Sequence, residues 1–264
     1  PENNYELIIN EFMKLNTTKD LVIICNLKKN KAISKIEAER LIAFTNNSGP
    51  LFILGTIGIS MFGSSTIGFL LLFTHILASL TVAFIFRFYK NSNIPSNYKL
   101  TTSLQDKKVD FSNLGEVLGT SIMSAIKTVV MIGGFVVLFS VILSILNSSN
   151  IINILVKCLF PILKFLGIKD SRFITGILCG ILELTNGLAL VSAIPCKQLS
   201  INIILSAFLL GFGGISVLLQ VLAIVSKTDI SIKPYIIGKI LHGIFAALYT
   251  YIFISYFPIF NLNL

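Results

Sequence analysis

Leu41-Ile42-Ala43-Phe44-Thr45-Asn46-Asn47-Ser48-Gly49-Pro50-Leu51-Phe52-Ile53-Leu54 places four polar residues and a Gly-Pro pair between two apolar arms. The first arm starts at Ser34. That hydroxyl, with Glu37 three residues on, makes a capping-box pattern that satisfies the free N–H groups of a helix start. The second arm runs from Leu51 to Phe62, a Gly63-Ser64-Ser65 turn follows, and Thr66 to Phe86 is long enough to span a bilayer. An arm of about 13 residues is about 20 Å long. A bilayer core is about 30 Å thick, so one arm passes the midplane without crossing. The expectation is a re-entrant helical hairpin over 34–63. Lipid cannot satisfy the backbone at its tip, so the tip must pack in protein or face a polar cavity.

The surrounding sequence demands a membrane. Of the 264 residues, 54% are hydrophobic and 12% charged, whereas a soluble domain carries about a quarter charged. No Asp, Glu, Lys or Arg lies between Arg40 and Arg87, between Lys127 and Lys157, between Lys197 and Lys227, or after Lys239; Glu183 alone interrupts Arg172 to Lys197. Each gap holds at least one bilayer-length segment. The net charge of +9 belongs to short basic loops beside those segments, which excludes it as a nucleic-acid footprint. Lys127 is expected to snorkel to the interface. Cys25, Cys158, Cys179 and Cys196 form no C-x-x-C pair and read as free thiols, with no metal and no cofactor expected.

The chain divides into a lead-in over 1–33, expected to be a remnant of missing amino-terminal spans, a first unit over 34–86, a polar loop over 87–114, and a second half over 115–264. In that half, 115–146 reads as a long helix, Ile151 to Ile168 as interfacial or re-entrant, Phe173 to Ile194 as a span broken near its centre, and Tyr235 to Phe257 as the last span. A second hairpin is expected over 200–226, broken at Gly211-Phe212-Gly213-Gly214. The two units match: Ala43-Phe44 to Gly49 is repeated as Ala207-Phe208 to Gly213, and His75 to Phe86 has the spacing of His242 to Phe253. The fold class expected is an all-α membrane protein of two repeats, each with a hairpin and transmembrane helices.

Paired broken helices in corresponding halves point to a transporter binding site. The substrate-binding residues expected at the first tip are Thr45, Asn46, Asn47, Ser48 and Gly49. Pro50 suits the first turn of the returning arm, and the free N–H groups beyond it favour an anion. At the second tip they are Gly213 and Gly214, where a ligand can approach bare backbone. Between the tips, Glu183, Thr185 and Asn186 surround a helix break at Gly187, and a carboxylate inside a span is by default functional. Tight packing through small residues is the competing reading of both tips. His75 and His242 read as packing residues. No phosphate loop, H-E-x-x-H or nucleophile elbow occurs, so an enzyme is not expected.

The run from Ile33 to Gly55, with Leu182-Glu183-Leu184-Thr185-Asn186-Gly187 and Gly211-Phe212-Gly213-Gly214, resembles the YlbJ sporulation integral membrane proteins, in the nucleoside-recognition or Gate group. The resemblance runs from about residue 28 to the end. It implies two inverted repeats similar to concentrative nucleoside transporters, a multipass protein of the mother-cell or outer forespore membrane, and transport of dipicolinic acid, a small anionic solute. That family has a Ser-Gly-Tyr-Pro-like break ahead of the first hairpin, where this chain has Asn16-Thr17-Thr18-Lys19-Asp20. Partners expected are the solute and the lipid bilayer, without nucleic acid; association with a second copy stays open. A nucleoside or other polar metabolite is the alternative cargo, and a non-transporting scaffold in spore assembly the alternative role.

Overall fold

A computed structural model describes residues 17–90, 114–165, 170–195 and 200–256. Within them the regular elements are helices: α1 (Thr17–Lys29), α2 (Lys35–Thr45), α3 (Phe52–Met61), α4 (Ser65–Phe86), α5 (Leu114–Ser148), α6 (Ile151–Phe165), α7 (Ser171–Leu182), α8 (Leu184–Ser192), α9 (Ser200–Phe212), α10 (Gly214–Val225) and α11 (Lys233–Tyr256). Residues 1–16 of the lead-in and 91–113 of the polar loop, together with Cys196, lie outside the described residues.

Among the described residues, four segments are long and apolar enough to cross a membrane: Ser65–Phe86, Val129–Ser148, Ile201–Val225 and Lys233–Tyr256. Their outer faces carry exposed Phe69, Phe73, Leu80 and Phe84 on α4, and Val129, Val130, Val137 and Val141 on α5. Apolar surface of that extent does not face water in a soluble protein. It is the lipid-facing side of an integral membrane protein.

The expected start of α2 is present. Ser34 Oγ accepts from Glu37 N at 3.2 Å, and Ser34 N donates to Glu37 Oε2 at 2.7 Å. The helix stops at Thr45 because the next residues are polar and Gly49-Pro50 cannot extend it. Beyond the break, α3 is wound as a wide π-helix, with Phe62 N bonded to Ile57 O at 3.0 Å. Chains hold this winding as single turns far more often than over ten residues. Gly63 then turns the chain at φ +66°, and α3 folds back along α4 where Gly58 meets Gly68. A Cβ on Gly58 would lie 2.9 Å from Gly68 N.

Two expectations of shape need correcting. The arms on either side of each break do not lie along one another. α2 packs against α1, α4 and α11, whereas α3 packs against α4 and α8. Likewise α9 packs against α11, α8, α4 and α7, while α10 packs against α1, α5 and α7. These are interrupted helices whose halves find different neighbours, so neither 34–63 nor 200–226 closes on itself. The second correction concerns 173–194, expected as one broken span. The chain reverses there: Gly176 sits against Val191 and Gly180 against Gly187, so α7 and α8 form an antiparallel pair turning at Glu183. Glycine at three of those four contacts lets the backbones touch, and side-chain packing, not local breaking strength, chose the reversal.

The centre of the fold is the crossing of α4 and α11. The rings of His75 and His242 lie 4.4 Å apart, His242 Nε2 donates to the His75 carbonyl at 3.0 Å, and Thr250 Oγ1 donates to Thr74 Oγ1 at 3.0 Å. A cluster of Ile53, Ile57, Ile67, Leu70, Leu71, Leu188, Leu209 and Leu210 encloses it.

Candidate functional site

Both helix breaks and the α7–α8 turn open onto one cavity of about 390 Å³. Asn46, Asn47, Ser48 and Gly49 come from the first break, Gly213 from the second, and Glu183 and Thr185 from the turn. The second break also touches the turn directly, since a Cβ at Gly214 would lie 3.0 Å from the Gly180 carbonyl. Seven of the ten residues expected from sequence therefore share one space. Its volume falls within the ~300–1,000 Å³ of small-ligand pockets.

Three do not line it. Thr45 is buried with its hydroxyl unpartnered, Asn186 turns toward α5 to donate to Ser140 Oγ at 2.9 Å, and Gly214 is occupied against the α7–α8 turn. Gly213 and Gly214 have φ of +83° and +82°, a left-handed pair that only glycine adopts without strain. The glycines at the second break are thus required by the backbone path itself.

The first break is anchored from both sides. Asn46 Nδ2 donates to Tyr235 Oη at 2.8 Å, and the Lys239 ammonium donates to the Asn46 carbonyl. Asn47 Nδ2 donates to Ser79 Oγ at 2.9 Å and to the Phe44 carbonyl at 3.0 Å. Ser48 N donates to His75 Nε2 at 3.3 Å, which puts the ring proton of neutral His75 on Nδ1. His75 is more than packing: it satisfies a break N–H that no helix can satisfy.

Glu183 is buried and caps α8. Its Oε1 accepts from Thr185 N at 3.1 Å, and its Oε2 from Asn186 N at 2.7 Å and Thr185 Oγ1 at 2.5 Å. The carboxylate thus saturates the free donors at a helix start and sits at the positive end of its dipole. That explains how a charge survives at this depth.

Lys239, Ser216 and Gln220 also line the cavity, and the sequence reading passed over all three. Lys239 is 4% exposed, Ser216 1% and Gln220 4%. A signal for Lys239 was present: it lies six residues into the last span and three before His242, on the same helix face. Ser216 and Gln220, four apart on α10, share a face in the same way.

Over 243 residues the chain is 33% identical to sporulation integral membrane protein YlbJ of Bacillus subtilis (strain 168), a match covering 86% of this chain. The chain is a homologue of YlbJ. It is an integral membrane protein with several spans, as that name and the exposed apolar helices agree. The match covers 58% of the length of the Bacillus protein, so the chain spans a little over half of that curated relative. No family model matches the chain, and no solved structure matches it.

Proposed function

We propose that the protein is a sporulation membrane carrier that moves a small anionic solute, dipicolinic acid, toward the forespore from the mother-cell or outer forespore membrane. One observation carries the reading. Two interrupted helices, far apart in sequence, meet with the α7–α8 turn around a single cavity whose mostly apolar wall carries a few converging polar side chains and bare backbone. Unwound backbone at membrane depth is tolerated where it lines a cavity, and such paired breaks are where secondary transporters bind.

Inverted repeats are part of the proposal. Matched neighbours support them: α2 and α9 each pack on both α4 and α11, while α1 lies on α10 as α8 lies on α3. In this arrangement α7 and α8 form a re-entrant pair with Glu183 at its tip, and alternating access comes from moving one repeat against the other. The sporulation role rests on the likeness to the Bacillus protein, and the cargo on the family resemblance of the sequence and on the cavity's size and its few polar groups. The protein acts as a carrier and not as an enzyme. A nucleoside is the competing cargo, favoured by the amide and hydroxyl groups of Asn46, Asn47 and Gln220 in the cavity wall.

The test is solute accumulation in sporulating cells whose only copy carries Asn46→Ala or Glu183→Gln. Both variants are expected to reach the membrane and to leave spores depleted of dipicolinic acid. Normal dipicolinic acid in both would end the carrier reading, and depletion of a nucleoside pool instead would reassign the cargo.

A further inference from the structure

One cation on the cavity wall has no carboxylate beside it, and it identifies a ligand contact. Lys239 Nζ carries three N–H donors, and one goes to the Asn46 carbonyl. Its ammonium also lies 6.0 Å from the centre of the Tyr235 ring. Among the described residues no carboxylate lies within ion-pair distance of it. Glu183, the other charge on the cavity wall, has both oxygens engaged by the start of α8. A buried cation without a counter-charge is costly in a span.

On the lining of the same cavity, α10 begins without a cap. Its N-cap is Gly213, which offers no side chain to the free N–H groups, so the first turn presents unsatisfied donors and a partial positive charge. Ser216 lies in that turn, buried, on the cavity wall, with its hydroxyl unpartnered. The helix starts and ends that meet at the cavity offset one another in sign, so Lys239 is marked out by its missing carboxylate partner and not by a net charge of the cavity.

We infer that Lys239 is the residue that binds the carboxylate of the transported solute, with Ser216 and the bare first turn of α10 supplying neutral donors from the same cavity lining. The inference rests on the carrier reading and deepens it, because it makes the cargo a small carboxylate and assigns its counter-charge. It also separates a binding role for Lys239 from a structural one. If Lys239 merely tethered the first break, removing the ammonium would loosen the fold. If it awaits a ligand, replacing it with an uncharged side chain removes an unmatched buried charge, and the empty protein holds or gains stability.

The experiment is a thermal melt of the purified protein in detergent. The chain has no Trp, so unfolding is followed, with Cys158 and Cys196 replaced by Ser throughout, by a maleimide dye that reacts as buried Cys25 and Cys179 become exposed. Probes are sodium dipicolinate and its uncharged diamide. Dipicolinate is expected to raise the wild-type midpoint and the diamide to leave it unchanged, since ligand binding to the folded state alone stabilises it. Lys239→Gln is expected to melt at or above the wild-type temperature without solute and to lose the dipicolinate shift, with affinity down at least about tenfold, the loss of a single charged contact. Lys239→Arg, which keeps the charge, is expected to retain part of it.

A Lys239→Gln protein that melts lower and keeps the full dipicolinate shift would overturn the assignment and make Lys239 a tether. A wild-type shift given by the diamide and not by dipicolinate would also overturn it, while leaving a carrier of neutral solutes. A wild-type protein shifted by no solute would sink the carrier reading itself. If Lys239→Gln does not fold, Ser216→Ala decides: a several-fold weaker dipicolinate shift supports the shared lining, and an unchanged shift overturns it.

Discussion

Gly187→Ala drives a methyl group into backbone. The built Cβ meets the Gly180 backbone at sub-van der Waals range and lies 2.8 Å from the Gly176 carbonyl, whereas comfortable contacts fall near 3.5–4.0 Å. Neither obstacle is a side chain that can rotate away. The α7–α8 pair must therefore open by roughly 1 Å, which is overpacking of the kind that costs about 1–3 kcal/mol or more. Alanine's better helix propensity returns about 1 kcal/mol. Both obstacles are backbone, so the upper end of that cost applies and a net loss of about 2 kcal/mol is expected, or roughly 4–8 °C in the midpoint for a chain of this size. The maleimide melt reads it well because buried Cys179 lies on α7. Gly134→Ala is the matched control: α5 has open space there, so its midpoint should hold or rise. Since Glu183 and Thr185 ride on the opened turn, Gly187→Ala should also weaken solute binding. A Gly187→Ala midpoint within about 1 °C of wild type, with Gly134→Ala equally silent, would refute the close antiparallel packing.

Asp20 is buried on α1 with neither carboxylate oxygen partnered, and burial raises its pKa from 3.8 to about 7. The folded state then holds a proton that the unfolded state has released, so its stability falls as pH rises from about 4 to about 7 and levels off above that. Asp20→Asn should therefore melt like wild type near pH 4 and higher than wild type at pH 8; parallel pH curves would contradict it. At the second break, Gly213→Ala forces a side chain into φ +83°, a cost of about 1–2 kcal/mol, and should lower the midpoint by a few degrees; no change would mean that the break relaxes. Ser34→Ala removes the cap from α2 and should cost about 1 kcal/mol, read in the same melt, while Ser34→Thr should not.

Local chemistry made much of this protein readable before its structure was known. Ser34 and Glu37 announce a helix start through groups three residues apart, and Gly49-Pro50 and Gly213-Gly214 end helices by backbone preference alone. The charge-free stretches gave the membrane. What the pattern could not convey was direction. An apolar segment with a break at Glu183 reads the same whether the chain continues or doubles back, and the choice was made by Gly176 against Val191 and Gly180 against Gly187. The same blindness led to the expectation that the arms at 45–50 and 211–214 would close into hairpins, since nothing local says that α2 and α3 prefer different neighbours. Lys239 was overlooked for a related reason. As the last charge in the chain it marked where a span could begin, and only the meeting of α11 with the first break shows it turned inward.

The account depends on Ser48 of the first break and Val217 of α10 bordering one wet space. Replacing Cys158, the exposed cysteine among those described, and Cys196 with Ser leaves buried Cys25 and Cys179 as a quiet background for single Ser48→Cys and Val217→Cys variants. Their rates of alkylation by a small charged thiol reagent, with and without dipicolinate, make the direct measurement. Both positions should react, and both should be protected over the same range of dipicolinate concentration. Protection of one with the other unaffected, or no reaction at either, would contradict a shared solute cavity.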